Sequence, residues 1–295
     1  MVGQDEQQPC SGGRMGDHYV PQYYLKGFST EEDEALWVYD KLDKRKFKTQ
    51  AKNIANENRF YSPDVERYLA NVIEGPANSV LKAIREKSPL TGDNKKLLAE
   101  YMDVMWKRVP QGKQLIRNTA PAVAQKLSAQ YNSDLDTIAS SEPDKATLVE
   151  KRRAEIDEII RKYSSNPPKD IWLDIIPPER SPQVVAAIRS MTWTFLTFEK
   201  KPAFLTCDNP FFYFRSIGVG NPKSEITFPI SCHITLLATW RSDLPEDYIP
   251  VTQQIIKELN RRTASNATRY VYCGYDEDWV LPFVLKGRWE LHRML

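Results

Sequence analysis

Phe204-Leu205-Thr206-Cys207-Asp208-Asn209-Pro210-Phe211-Phe212-Tyr213-Phe214 is a polar corner clamped between two apolar runs. The runs 203 to 206 and 211 to 214 are short, aromatic-rich and bounded by Pro202 and Pro210, which predicts two buried strands meeting at a tight turn. Asp208 and Asn209 fall at the bend. There, Asx side chains satisfy local backbone groups and a following proline pushes the chain toward extended geometry. An aspartate enclosed by Phe, Leu and Tyr is partly desolvated and needs a donor, which is how functional carboxylates are held. A well-made Asx-Pro turn accounts for the same residues without any chemistry.

Upstream, 181 to 198 predicts a mostly apolar helix with Val184, Val185, Ile188, Met191, Thr192 and Phe195 on its core side. Downstream, 226 to 229, 233 to 239, 269 to 273, 282 to 285 and 287 to 292 predict strands, with an amphipathic helix at 251 to 264. The first half is different. A short helix should run from Pro21 to Gly27, and a hairpin over 35 to 49 should turn at 41 to 44. Ser62-Pro63 caps a helical run that Gly75-Pro76 interrupts beside Glu74. A further helix over 94 to 109 carries Leu97, Tyr101 and Val104 on one face, and at the same spacing Arg108 points inward and needs a carboxylate or carbonyl partner. Helices are also predicted at 121 to 131 and 148 to 163, joined by a polar connection over 132 to 144.

The fold class read from this pattern is α+β: a helix-dominated part over about 62 to 198, a small mixed or antiparallel sheet built mainly from 202 to 295, and an N-terminal hairpin. Residues 17 to 295 read as one domain behind a flexible leader, 1 to 16, with Met15 a second candidate start.

Of 295 residues, 41 are Lys or Arg and 39 Asp or Glu, a formal charge of +2, so no global field advertises nucleic acid. No apolar run is long enough for a bilayer, and no membrane partner is expected. The four cysteines, Cys10, Cys207, Cys232 and Cys273, make neither a CxxC pair nor a dense framework, which favours a reducing, cytoplasmic setting.

Several blocks in a fixed order carry a likeness. They are His18-Tyr19-Val20-Pro21 with Tyr24-Leu25 and Phe28, then Phe60-Tyr61 with Glu66 and Glu74, and Arg108-x-Pro110. Leu205-Thr206-x-Asp208-Asn209-Pro210 follows, and Asn260 precedes Ala267-x-Arg269-Tyr270. Together they resemble the uncharacterised, mainly bacterial family catalogued as domain of unknown function 4238, over His18 to about Tyr272. The family's corner more often has serine where this chain has Cys207, which argues against a serine nucleophile there. The resemblance supports a single domain and implies no residue roles.

Two function classes compete on the residues. In the first, His18, Glu74, Arg108, Asp208 and Asn209 line one polar cleft of a hydrolase. His18 would act as base or ligand, and Glu74 and Asp208 as metal ligands or acid-base groups. Arg108 would neutralise a phosphate and Asn209 orient substrate or water. Metal-assisted phosphodiester (nuclease-type) chemistry suits such a set, with Mg²⁺ or another divalent metal held by His18, Glu74 and Asp208, and a small molecule or nucleic acid as substrate. No HExxH, PD-(D/E)xK or HNH spacing is present. In the second class, a non-catalytic binding or interaction module, the same residues form a buried structural network, leaving Tyr23, Tyr24 and Tyr213 to meet a partner. A weaker third idea uses Cys207 or Cys232 as a nucleophile with His18 or His233. Cys232 and His233 as strand neighbours would point apart.

Overall fold

The computed structural model describes residues 16–29, 34–165, 170–287 and 289–293. The expected leader and Cys10 lie outside the described residues, apart from Gly16. In order, the elements are β1 (Asp17–His18), α1 (Gln22–Lys26), β2 (Ala35–Asp40), β3 (Arg45–Gln50), β4 (Asn56–Glu57), α2 (Pro63–Tyr68), α3 (Gly75–Arg85), α4 (Gly92–Arg108) and α5 (Pro110–Ser141). They continue with α6 (Ala146–Ser165), α7 (Ile171–Ile175), α8 (Pro182–Ser190), β5 (Thr192–Thr197), β6 (Thr206–Cys207), β7 (Phe212–Tyr213), β8 (Glu225–Ser231) and β9 (Ile234–Thr239). Then follow β10 (Tyr248–Pro250), α9 (Gln253–Asn266), β11 (Tyr270–Cys273) and α10 (Val280–Leu285). The α+β class and the N-terminal hairpin are as expected. No helix among the described residues is long and apolar enough to cross a membrane.

The local signals explain most of the helices. Ser62 accepts from the Val65 N–H ahead of Pro63, and Thr91 with Asn94 closes a capping box at α4. Pro76 has no N–H to donate one turn back, and residues Leu69–Glu74 widen into a π turn before it. Between α4 and α5 the chain turns at Val109, whose ψ is 157°.

Five strands pair in the order β10-β5-β9-β8-β7, four in the order β3-β2-β11-β6, and β1 pairs with β4. Pairing is antiparallel except for β10 on β5. The four-stranded sheet therefore sets the N-terminal hairpin beside β11, with Val271 opposite both Tyr39 and Cys207. Strand β2 is covered on both faces. Leu36 and Val38 join the main core with Tyr24, Leu81, Tyr101, Met105, Phe228 and Leu236. Tyr39 joins Leu205, Cys207, Val271 and two valines of α10 in a second cluster, and Phe204 packs with Leu196, Ile256 and Leu259 in a third.

Five expectations need correction. The strands flanking the corner do not pair with each other: β6 joins β11, and β7 joins β8 in the other sheet. The helix expected to Phe198 stops at Ser190. Thr192–Thr197 is β-branched and aromatic and forms β5, where pairing with β9 outweighs helical spacing. The connection expected over 132 to 144 is mostly helix, since α5 continues to Ser141 and Arg153 of α6 donates to Asn132 at 2.6 Å and Asp136 at 2.7 Å. Residues 282 to 285 lie in α10, because Val280 and Val284 sit one turn apart and both fill the second cluster. None of the described residues in 287 to 292 forms a strand.

Candidate functional site

The corner is where the two larger sheets exchange chain. As the backbone leaves β6, Asp208 turns inward and its carboxylate accepts main-chain N–H groups of Thr268 (2.7 Å), Arg269 (2.7 Å) and Tyr270 (2.9 Å). Only 4% of the residue is exposed. Burial pushes its carboxyl above the usual range, against the opposing pull of these three donors. Asn209 donates to Gln111 at the start of α5 and to the Asn266 carbonyl at 3.3 Å. Asn266 returns the contact, its amide donating to the carbonyls of Asn209 (2.6 Å) and Phe211 (3.0 Å). The two asparagines thus hold the corner to the end of α9.

The same region is tied in from other sides. Asn260 stands in for a strand, accepting the Leu205 N–H at 3.0 Å and donating to the Ala203 carbonyl at 2.8 Å. The Tyr24 hydroxyl from α1 and the Thr206 hydroxyl share a hydrogen bond of 2.7 Å. Tyr24 is fully buried, so it is not a free aromatic for a partner. Tyr23 lies under the Arg85 guanidinium, 5.1 Å from it, and Tyr213 is partly buried against the main core. Cys207 is buried in the second cluster, and burial pushes its thiol well up, which suits a core residue rather than a nucleophile.

A second polar group forms at the end of α4. Arg108, 3% exposed, donates from Nη1 to Glu74 Oε1 at 2.6 Å and from Nη2 to the His18 carbonyl at 2.6 Å. Its Nε donates to the Tyr61 hydroxyl at 3.3 Å, which itself donates to the Arg108 carbonyl at 2.9 Å. Burial opposes the guanidinium charge, but Tyr61 and Glu74 outweigh it and hold the group protonated. The inward arginine and its carboxylate partner are as the helical spacing required. The His18 ring is engaged separately. Its Nε2 is 3.1 Å from the Lys52 carbonyl and its Nδ1 3.5 Å from Gln22 Nε2, a pattern satisfied by one neutral tautomer. Burial, as the largest cause, lowers its pKa and favours that form.

The structure therefore unites His18, Glu74 and Arg108, but through the backbone carbonyl of His18 rather than its imidazole. Asp208 and Asn209 belong to a neighbouring network. Between them lies Tyr19, the residue after His18, whose phenol is pushed up by burial and then by the Asp208 charge. Among the described residues no three His, Cys, Asp or Glu side chains group as a metal requires, so the expected ligand set of His18, Glu74 and Asp208 is not assembled. All three already have hydrogen-bonded partners of their own.

Sequence reading missed Gln111, which receives both Asn209 and the Arg215 guanidinium (3.0 Å). It also missed Arg85, although Arg85 follows Leu81 at four residues on an apolar helix face, the signal that singled out Arg108. Cys232 and His233 do not sit in a strand. They occupy the turn between β8 and β9, and both line one cavity, so strand alternation does not separate them.

No curated protein and no solved structure matches the chain significantly. A family model does, and it covers residues 17–277, from β1 through the corner to the segment after β11, with every residue of both polar networks inside it. The chain belongs to that family, described as a protein of unknown function, DUF4238.

Proposed function

We propose that this chain is a non-catalytic binding or interaction module in which His18, Glu74 and Arg108 form one structural network and Asp208 and Asn209 a second beside it. The observation that carries the reading is the Asp208 carboxylate, which has three main-chain donors and 4% exposure. A carboxylate so satisfied serves the backbone of another segment and presents nothing to a substrate. Replacing it strands buried N–H groups. Asp208→Ala should lower the free energy of unfolding by about 3 kcal/mol, and Asp208→Asn, which keeps one acceptor oxygen, by roughly half that. Urea unfolding followed by circular dichroism measures both, and a shift below about 1 kcal/mol for alanine would sink the proposal.

A hydrolase with His18 and Glu74 at its centre keeps one specific observation. Glu74 remains 22% exposed, and its Oε2 has no partner among the described residues. That reading requires a divalent metal to raise the thermal midpoint, since a metal bound only by the folded form stabilises it. The module reading expects Mg²⁺, Mn²⁺ and Zn²⁺ each to leave Tm unchanged and bis(p-nitrophenyl) phosphate to stay intact. A Tm rise with metal-dependent turnover, both lost in Glu74→Gln, would establish the hydrolase instead.

A further inference from the structure

A cavity of about 710 Å³ opens on the side of the fold where α1, α3 and the β8–β9 turn meet. Its lining includes Lys26, Ser29, Arg85, Lys87, His233 and Tyr275. Arg85 is the unusual member. Nε donates to the Ile230 carbonyl (3.3 Å), and Nη2 to the carbonyls of Tyr23 (3.3 Å), Tyr24 (3.1 Å) and Ile230 (3.3 Å). Burial lowers its pKa, and the groups that oppose burial are three tyrosines and a cysteine, with no carboxylate among them. Main-chain dipoles fix this guanidinium but do not neutralise its charge. Among the described residues its Nη1 has no partner.

The surroundings of Arg85 are built for it. A Cβ at residue 27 would lie 2.4 Å from Nη2, so Gly27 gives the guanidinium room. The Cys232 N–H donates to the Gly27 carbonyl at 3.0 Å and brings the β8–β9 turn against the end of α1. In that turn His233 holds its Nδ1 2.9 Å from the Phe198 carbonyl, which makes Nδ1 the donor and leaves Nε2 without a partner among the described residues. Two lysines complete the charge. Lys26 pairs with Glu34 at 2.9 Å and Lys87 with Glu199, but the glutamate side chains are 58% and 66% exposed. Such surface pairs are worth little and yield readily to a stronger anion.

We propose that this cavity binds a small phosphomonoester, with Arg85, Lys26 and Lys87 holding the phosphoryl oxygens, His233 and Ser29 completing the hydrogen bonds, and the half-exposed Tyr275 ring at the rim. Three cations around one cavity suit a dianion better than a single carboxylate, and the fixed Arg85 guanidinium keeps its Nη1 donors for a phosphoryl oxygen. The volume falls within the range of small-molecule pockets and admits a mononucleotide-sized molecule. This assignment rests on the binding-module reading and names its ligand class.

Calorimetric titration with AMP, inorganic phosphate and adenosine tests it at low and physiological salt. AMP and phosphate should bind, more weakly as salt rises, and adenosine should not. Lys26→Gln/Lys87→Gln, changed on the surface where folding is insensitive, should weaken AMP at least fivefold. Arg85→Gln should abolish binding, with circular dichroism reporting whether it folds, and Gly27→Ala should weaken binding by crowding Nη2. Absence of binding at millimolar AMP and phosphate, equal binding of adenosine, or unaltered affinity in the lysine double variant would overturn the site. Hydrolysis of AMP during the titration would overturn the module reading while leaving the pocket in place, so the two failures are distinct.

Discussion

Arg108 contacts three partners, and two of them, Glu74 and the His18 carbonyl, would lose their donor without it. Arg108→Gln should cost about 3 kcal/mol in urea unfolding, because it leaves Glu74 and the His18 carbonyl without a donor. In a double-mutant cycle with Glu74→Gln the two losses should fall well short of additive, the mark of a direct pair. His18 gives a pH signature. Its folded-state pKa lies below the ordinary 6.5, so the unfolded chain takes up the proton more readily. Stability is then greatest above 6.5 and falls as pH drops through 6.5 toward the lowered folded value. Thermal scans between pH 7.5 and 5 should show a larger loss of Tm in the wild type than in His18→Gln, and parallel curves would refute the assignment.

At the level of elements, the α4–α5 junction leaves no room at Gly112. A Cβ at Gly112 would lie 1.9 Å from the Trp106 carbonyl oxygen and 2.8 Å from that of Lys107, both backbone atoms that cannot turn aside. Gly112→Ala should therefore lower stability by about 2 kcal/mol or more, whereas Gly92→Ala, with open space around it, should be close to neutral. The same scale shows what the chain reveals unaided. Caps, the hairpin turn and the inward Arg108 depend on neighbours within a few residues, and they were legible. The fate of 192 to 197 was not, because a β-branched aromatic run after a helix becomes a strand only when β9 is beside it. Asp208 was legible as a residue needing donors, but the donors stand 60 to 62 positions away and leave no local trace. His18 was legible as a polar outlier, yet its backbone carbonyl rather than its ring reaches Arg108, a choice that residue identity does not encode.

Across the whole molecule, two sheets and a helical layer share cores that meet at the corner, and the single-domain reading has a direct test. Trp172 and Trp193 lie in the main core, so their fluorescence and the far-ultraviolet helix signal should fall together in one urea transition. Separate midpoints would divide the chain into two units. The four-stranded sheet carries a further consequence for how the molecule comes into being. β2 receives β11 on one side, and β6 is joined to the sheet only through β11, so residues 35 to 40 and 206 to 207 cannot share a sheet until residue 273 has been made. On the ribosome, the hairpin and the first helices can settle early, while Tyr24, Thr206 and the Asp208 carboxylate wait for nearly the whole described chain to emerge. Until then β2 presents an open edge to its surroundings, and a synthesis that halts before β11 yields a chain that exposes it permanently.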